Sequence, residues 1–433
     1  MHGETMGFVR RFATGRVGSA GIYLVASVLA RAGAILLIPL YTRRFSTQQY
    51  GEYALAQTLI AFLSTPLCLC LHHAVVRFYF ESTDRESARR RVGSAARWML
   101  IITLGLTTLL QIGVLVTRPA GTHGIYGRWE LTCIVWASAG LALSAVPATF
   151  LRISQRAMAA AALQLGDFFT GIGAGIVMVV VLGRGVRGGI EALALPACVT
   201  GTVGVVFILA ALKGPLDLKT LRDGLAISLP FVPHTLGNQA QSISDRWIMK
   251  FTANEAALGV YALAGQLSVP VSMVIQAWHT ASEPPLGEAS RNGGLAGVAK
   301  RAAAYRWSYV IVTSAAALFL CLLLPAATHL IGKNFSGALR LVPVMCAILI
   351  VDSVYEANCT LVFYANRQAT IPKITVTAGA LNVALNAVLI RLFGLWGAVL
   401  ARACSTSVRS LAMWYTARSA LAPRAIEPTL ARS

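Results

Sequence analysis

Acidic residues are scarce in this chain: 17 Asp and Glu stand against 37 Lys and Arg in 433 residues, and charged types together make up only 12%. A soluble domain carries about 25% charged residues, so this scarcity excludes one. Signatures of catalysis are missing too. No Gly-rich loop ends in Lys-Ser/Thr, no His-Glu-x-x-His occurs, and no stretch is polar enough for an extramembrane domain. The chain is therefore not read as an enzyme, and no cofactor is expected. The eight cysteines (68, 70, 133, 198, 321, 346, 359, 404) show neither metal-ligand spacing nor a disulfide framework. Most lie inside apolar runs, where a thiol packs as a small hydrophobe. His72–His73 is read as an interfacial pair, and no metal is expected.

What the chain does have is apolar sequence. Hydrophobic types make up 56% of it, and the mean hydropathy is +0.66. A helix rises about 1.5 Å per residue, so about 20 apolar residues cross about 30 Å of hydrocarbon. Runs of that kind predict about twelve spans: 20–41, 53–76, 98–117, 131–150, 159–182, 189–212, 225–250, 258–280, 307–331, 338–363, 372–392 and 394–417. The runs are continuous and not alternating, which selects helices over a closed barrel. The first run has full span length and no small-residue cleavage site, so it reads as a retained helix.

A net charge of +20 would suit nucleic acid if it were spread evenly, and it is not. Basic residues crowd alternate loops: Arg10, Arg11 and Arg16; Arg89, Arg90 and Arg91; Arg152 and Arg156; Lys213, Lys219 and Arg222; Lys300 and Arg301; Arg367 and Lys373; Arg418 and Arg424. The opposite loops carry one or two each, such as Arg43–Arg44 or Lys333. This is the positive-inside pattern, which places both termini in the cytoplasm and makes anionic phospholipid the counter-charge, with no nucleic-acid partner.

Two echoes reveal an internal duplication. Gly51-Glu-Tyr-Ala-Leu-Ala recurs as Gly259-Val-Tyr-Ala-Leu-Ala, and Arg97-Trp98 as Arg306-Trp307, at offsets of 208 and 209 residues. The offset covers an even number of spans, so the two halves share one orientation. The expected fold class is an all-α polytopic membrane protein whose helices form two parallel-repeat six-helix lobes around a central cavity. The expected division is residues 1–212 for the first lobe, 213–224 for a cytoplasmic linker and 225–433 for the second lobe. Transporters built from such repeats bind substrate between the halves and alternate access by rocking.

Ionisable residues inside spans cost about 2.5–3.5 kcal/mol on insertion scales, so they mark partners or cavities. The seventh span is the richest, with Pro230, Pro233, His234, Asn238, Gln241, Asp245 and Arg246. His234, Asn238, Gln241 and Asp245 share one helix face, and the prolines predict a break at its entry. The stripe suits either the wall of a hydrated path or a polar helix seam. Arg31, midway along the first span, offers a guanidinium fork that fits phosphate oxygens, or an ion-pair partner for Asp245 or Asp167. Asp352 and Glu356, one turn apart in the tenth span, could carry a proton or hold Na⁺, or pair with Arg402 and Arg409 of the twelfth; the sequence favours the pairing. Asn382 and Asn386 read as seam residues.

Two stretches carry a family resemblance. One is Tyr41-Thr-Arg-Arg-Phe-Ser-Thr-Gln-Gln-Tyr-Gly-Glu-Tyr; the other runs from Leu229-Pro-Phe-Val-Pro-His-Thr-Leu through Ser244-Asp245-Arg246 to Gly259-Val-Tyr-Ala-Leu-Ala and Gln266. Through them the chain resembles the Wzx-like polysaccharide flippases of the multidrug/oligosaccharidyl-lipid/polysaccharide (MOP) exporter superfamily. The resemblance implies a bacterial inner-membrane protein that moves undecaprenyl-diphosphate-linked oligosaccharide between leaflets for O-antigen, capsule or exopolysaccharide. It also implies a cationic cavity, carried over here to Arg31, Arg246 and Asp245. Since no ATP-binding motif occurs, coupling to H⁺ or Na⁺ is expected, with Asp352, Glu356 and Asp167 as the candidate acids. Two alternatives stand beside it: a drug or metabolite antiporter on the same fold, and a membrane-embedded glycan polymerase or ligase. The last normally needs a sizeable outward loop bearing acids, and the longest here, 118–130, has only Glu130.

Overall fold

The computed structural model describes residues 36–81, 84–117, 125–154, 156–212, 214–252 and 255–421, and among these residues there is no strand. Residues 36–44 are helical and close the first expected span, whose remainder, with Arg31, lies outside the described residues. Helix α1, Thr47–Cys68, begins at a reciprocal cap in which Ser46 Oγ accepts from the Gln49 N–H and Gln49 Oε1 accepts from the Ser46 N–H. It stops where Leu69 and Cys70 turn left-handed, at φ 47° and 55°. Helix α2, His72–Glu81, then continues at a 48° bend, so the second span is broken.

The next helices follow the apolar runs closely: α3 is Arg85–Thr117, α4 Arg128–Ile153, α5 Ala157–Gly175 with a π-helical end at Ile176–Val181, and α6 Gly185–Ala211. The seventh expected span is split as its prolines predict, into α7, Leu218–Ser228, and α8, Phe231–Thr252. Helix α9, Glu255–Leu267, breaks at Ser268 before α10, Val269–Ala327, which is itself interrupted at Gly294 with φ 56°. The last three are α11, Ser336–Tyr364; α12, Thr370–Phe393; and α13, Leu395–Leu421. Gly394, at φ 55°, makes the tight turn between α12 and α13.

Among the described residues, eight helices are long and apolar enough to cross a membrane, and the broken α1–α2 pair makes a ninth. The seventh and twelfth expected spans are helical as well but too polar to qualify, the first bearing Asp245 and Arg246 and the second Arg402 and Arg409.

The described residues form two compact units. The first gathers the helices up to Trp247 together with 255–262; the second takes the chain from Leu263 onward with 248–252. Small residues set the packing of the first, because lipid offers no hydrophobic gain for helix association and close backbone approach must replace it. A Cβ on Gly140 would lie 2.1 Å from the Ala197 carbonyl oxygen, and one on Gly201 2.5 Å from Gly140 Cα. These contacts lock α4 against α6. The basic segment after α6 is clamped: Gly214 sits against the α3 backbone, with a Cβ there only 2.4 Å from Arg90 O. Arg97 Nη1 donates to Gly214 O at 2.8 Å and Trp98 Nε1 to Asp217 O at 3.1 Å. Asp217 then caps α7, and the Thr220 hydroxyl and N–H on its carboxylate hold it below the usual carboxylate range.

In the second unit α10, α11 and α13 enclose a core that includes Tyr309, Leu361 and Met413. Between α12 and α13, Asn382 Nδ2 donates to Ser405 Oγ at 3.0 Å and Asn386 Nδ2 to Asn382 Oδ1 at 2.9 Å, all fully buried. This is a polar seam of the kind the sequence suggested. Interhelical hydrogen bonds in membranes are worth about 0.6 kcal/mol on average and up to about 1.7. Asn382→Ala removes the link between its two neighbours, so it is expected to cost about 1–2 kcal/mol, read as a lower melting temperature of the purified protein without loss of expression.

Candidate functional site

Three polar constellations interrupt the apolar interior. The first lies where α8 and α9 meet α1, at the duplicated segments themselves. Repeat-mates Gly51 and Gly259 face each other: a Cβ on Gly51 would sit 3.2 Å from Gly259 N, and one on Gly259 only 1.8 Å from Thr47 O. Glycine is needed here for the approach of two backbones, since its φ is ordinary. Beside this crossing Asp245 is fully buried and accepts a hydrogen bond from the Tyr261 hydroxyl. Arg246 reaches the other way, donating from Nη1 to Ala54 O at 3.0 Å. Two turns earlier Gln239 Nε2 donates to Ala61 O and Gln239 Oε1 accepts from Thr65 Oγ1, both at 3.3 Å. His234 and Asn238 stand 3.4 Å apart near the start of α8. The Gln241 side chain, like Arg31, lies outside the described residues.

The predicted stripe is thus divided by depth. Its end at Asp245 is packed, and its beginning at His234 and Asn238 is more open. The tight contacts to α1 come from Gln239 and Arg246, seven residues apart on one face, and Gln239 was missed in the sequence. That spacing of an amide and a guanidinium was the available signal. Tyr261, the partner of Asp245, is the repeat-mate position of Tyr53 and gave no separate signal of its own.

The second constellation is a cavity of about 440 Å³ inside the first unit, lined among others by Tyr41, Tyr53, Gln57, Gln164, Asp167 and Thr200. Asp167 is its acid, with Thr200 in the same lining. Thr200 Oγ1 donates to Pro196 O at 2.9 Å, the helix carbonyl four residues back. One wall is rigid: Tyr41 stacks on Phe45 at 5.1 Å and meets Tyr53 edge-on at 5.1 Å. Gly175 and Gly189 leave room for those rings, since a Cβ at either would touch Tyr41 or Phe45 within about 3 Å. Sequence reading selected Asp167, took Tyr41 and Tyr53 only as ends of the family stretch, and missed the two glutamines, because amides in apolar helices form no motif.

The third is in the second unit. Arg409, nearly buried, contacts the Asp352 carboxylate, and its guanidinium lies 4.3 Å over the Tyr355 ring. Glu356 follows one turn on. Nearby, Arg306 Nε donates to Asn358 Oδ1 at 2.7 Å, and Tyr309 OH lies 3.0 Å from His279 Nδ1 and 3.1 Å from Tyr305 OH. Asp352 is therefore charge-matched. Two acids that looked equivalent by spacing have different surroundings, and Glu356 is the one without an ion pair among the described residues.

The sequence matches the polysaccharide biosynthesis protein family over residues 17–289. No curated protein matches it. Among solved structures, it is similar to an outward-facing multidrug resistance MATE family transporter of the MOP superfamily, with 15% identity, 96% of this chain and 99% of that chain covered, and a TM-score of 0.64. It is also similar to a MOP superfamily transporter from Pyrococcus furiosus described as having a binding pocket of reverse polarity that suggests a different function, with 13% identity, 95% and 97% covered, and a TM-score of 0.66. An inward-facing MATE family transporter matches at 14% identity, 93% of each chain and a TM-score of 0.63. At these identities the likeness speaks for the fold. The chain shares the all-α, multi-pass fold of these transporters across nearly its whole length, and two lobes of about six helices each are consistent with it.

Proposed function

Because this chain belongs to the polysaccharide biosynthesis protein family, we propose that it is a flippase for undecaprenyl-diphosphate-linked oligosaccharide in the bacterial inner membrane, with both termini in the cytoplasm. Family membership over more than half of the chain is the observation that carries this reading. The physical task suits the residue types. A diphosphate and a hydrophilic glycan lose tens of kcal/mol of hydration in the idealised apolar limit, so a path must replace that water with fixed donors. Arg246 and Arg31 are the proposed phosphate ligands, since a guanidinium presents a fork of donors that fits phosphate oxygens. His234, Asn238 and Gln241 are the proposed polar wall toward the start of α8. Asp245, held by Tyr261, acts as a positioning residue that orients Arg246 beside it. Coupling to H⁺ or Na⁺ is proposed at Glu356 or Asp167, with Asp352 neutralised by Arg409.

The test is binding of purified undecaprenyl-diphosphate-linked oligosaccharide to the detergent-solubilised protein. Arg246→Ala should weaken saturable binding by tenfold or more, equivalent to about 1.4 kcal/mol. Unchanged affinity in Arg246→Ala and in Arg31→Ala would remove both arginines from the site. A second reading, a drug or metabolite antiporter on the same fold, is favoured by one observation: the 440 Å³ cavity carries an acid, Asp167, as a cation-binding pocket would. Saturable binding of organic cations that is lost in Asp167→Asn, with no binding of the lipid-linked glycan, would select it.

A further inference from the structure

At the end of the first unit opposite the basic segment after α6, one buried carboxylate organises an unusual surface. Glu191 is 7% exposed, in the second turn of α6. Its Oε1 accepts from Trp129 Nε1 at 2.7 Å, and its Oε2 pairs with Arg184 Nη1 at 2.6 Å. Arg187 Nε lies 3.4 Å from the same carboxylate and 3.9 Å from Glu130 Oε1, and its guanidinium stands 5.8 Å from the centre of the Trp129 ring. The buried acid is charge-matched. The groups that match it remain half in solvent: the Trp129 residue is 50% exposed and the Arg184 and Arg187 side chains 42% and 50%.

The local backbone is built to display them. The π-helical end of α5 runs into Gly183-Arg184-Gly185, where both glycines are left-handed at φ 60° and 57°. Any other residue would be strained at either position, so the turn that projects Arg184 depends on the pair. π-Helical turns are rare and are frequently found at functional sites. An ordinary interfacial tryptophan points its N–H toward water or headgroups. Trp129 instead turns its N–H inward to Glu191, which fixes the ring and leaves it standing beside two guanidinium forks.

A half-exposed indole held rigid next to fork donors and carboxylate acceptors is the chemistry that recognises a sugar ring. Apolar C–H faces stack on the aromatic surface, and vicinal hydroxyls meet paired donors and acceptors. The two guanidinium and two carboxylate charges balance, so an uncharged polyol fits at least as well as an anion. Helices α4 and α6 both run from this surface to basic loops at their other ends, at Arg152–Arg156 and at the segment 212–217, about 40 Å away along α6. Under the positive-inside pattern the surface faces outward. We infer that Trp129, Arg184, Arg187 and Glu130 form an outward-side saccharide-binding site, a docking place for the glycan of the transported unit as it leaves. This rests on the flippase reading for the identity of the glycan.

The test uses the full-length protein in nanodiscs, labelled with 5-fluorotryptophan, with the Trp129 resonance assigned from Trp129→Phe. The probe is the water-soluble oligosaccharide released by mild acid from the lipid-linked intermediate. The site predicts a saturable shift of the Trp129 resonance, with affinity reduced severalfold in Arg184→Gln and Arg187→Gln. Because the probe carries no lipid or diphosphate, this result stands or falls apart from flipping itself. Movement of other tryptophan signals with Trp129 still, or no movement at all, would overturn the site. So would a Trp129 signal that responds to added phosphatidylglycerol and not to the glycan, which would make the surface a headgroup contact.

Discussion

Gly259→Val should leave no folded protein to purify. The Cβ it adds falls 1.8 Å from the Thr47 carbonyl oxygen, and the obstacle is backbone, which cannot rotate away as a side chain could. Relief requires α9 and α1 to separate, which breaks the approach of Gly51 to Gly259 and strains the bonds of Asp245 and Arg246 beside it. Ordinary overpacking costs about 1–3 kcal/mol, and this contact lies beyond that range. Gly265→Ala, in the same helix six residues on, is the matched control. Nothing lies within 4 Å of its added Cβ, and replacing a helical glycine should stabilise by up to about 1 kcal/mol. Fluorescence-detected size exclusion and thermal melting of the two variants give the comparison. A monodisperse Gly259→Val protein melting within a few degrees of the parent would mean that the close crossing is absent in the membrane.

Arg409→Ala should be the most damaging single change in the second unit. It strips Asp352 of its counter-charge inside a span and removes the guanidinium from the Tyr355 ring. Removing one partner of a buried pair costs about 3–5 kcal/mol, mostly because the remaining charge is left uncompensated. Asp352→Asn in the same chain should therefore restore much of the loss, since a neutral amide needs no cation. The double variant is expected to melt well above Arg409→Ala alone, and transport measured in it separates structure from coupling. If the double variant is no more stable than Arg409→Ala, Asp352 is not the group that Arg409 compensates.

Much of the fold was legible in the sequence for physical reasons that can be named. Spans must be about 20 apolar residues long, so α3 to α6 and α9 to α12 were visible as hydropathy. The break before α8 followed from Pro230, and the α12–α13 turn from Gly394. The duplication was visible because Gly51 and Gly259 cannot change while their backbones cross. The other echo has drifted: Arg97 and Trp98 both hold the segment after α6, whereas Arg306 binds Asn358 and Trp307 is mostly exposed. The candidate site was read less fully. Tyr261 and Gln239 depend on which helix each residue faces, and hydropathy is silent on rotation within a polar stripe. The Glu191 cluster joins the starts of α4 and α6, which are more than 50 residues apart in the chain, and in the sequence Glu130 was visible only as a lone loop acid.

The central claim is that the protein carries a lipid-linked oligosaccharide across the bilayer. Its most direct measurement is in proteoliposomes loaded with undecaprenyl-diphosphate-linked oligosaccharide, following the fraction of glycan open to a membrane-impermeant glycan-oxidising reagent. The account predicts that the accessible fraction rises from about half toward completion on the timescale of the assay in protein-containing vesicles, and far more slowly in Arg246→Ala or in empty vesicles. A protected fraction that stays constant with the wild-type protein present, under both an imposed pH gradient and an imposed Na⁺ gradient, would contradict it.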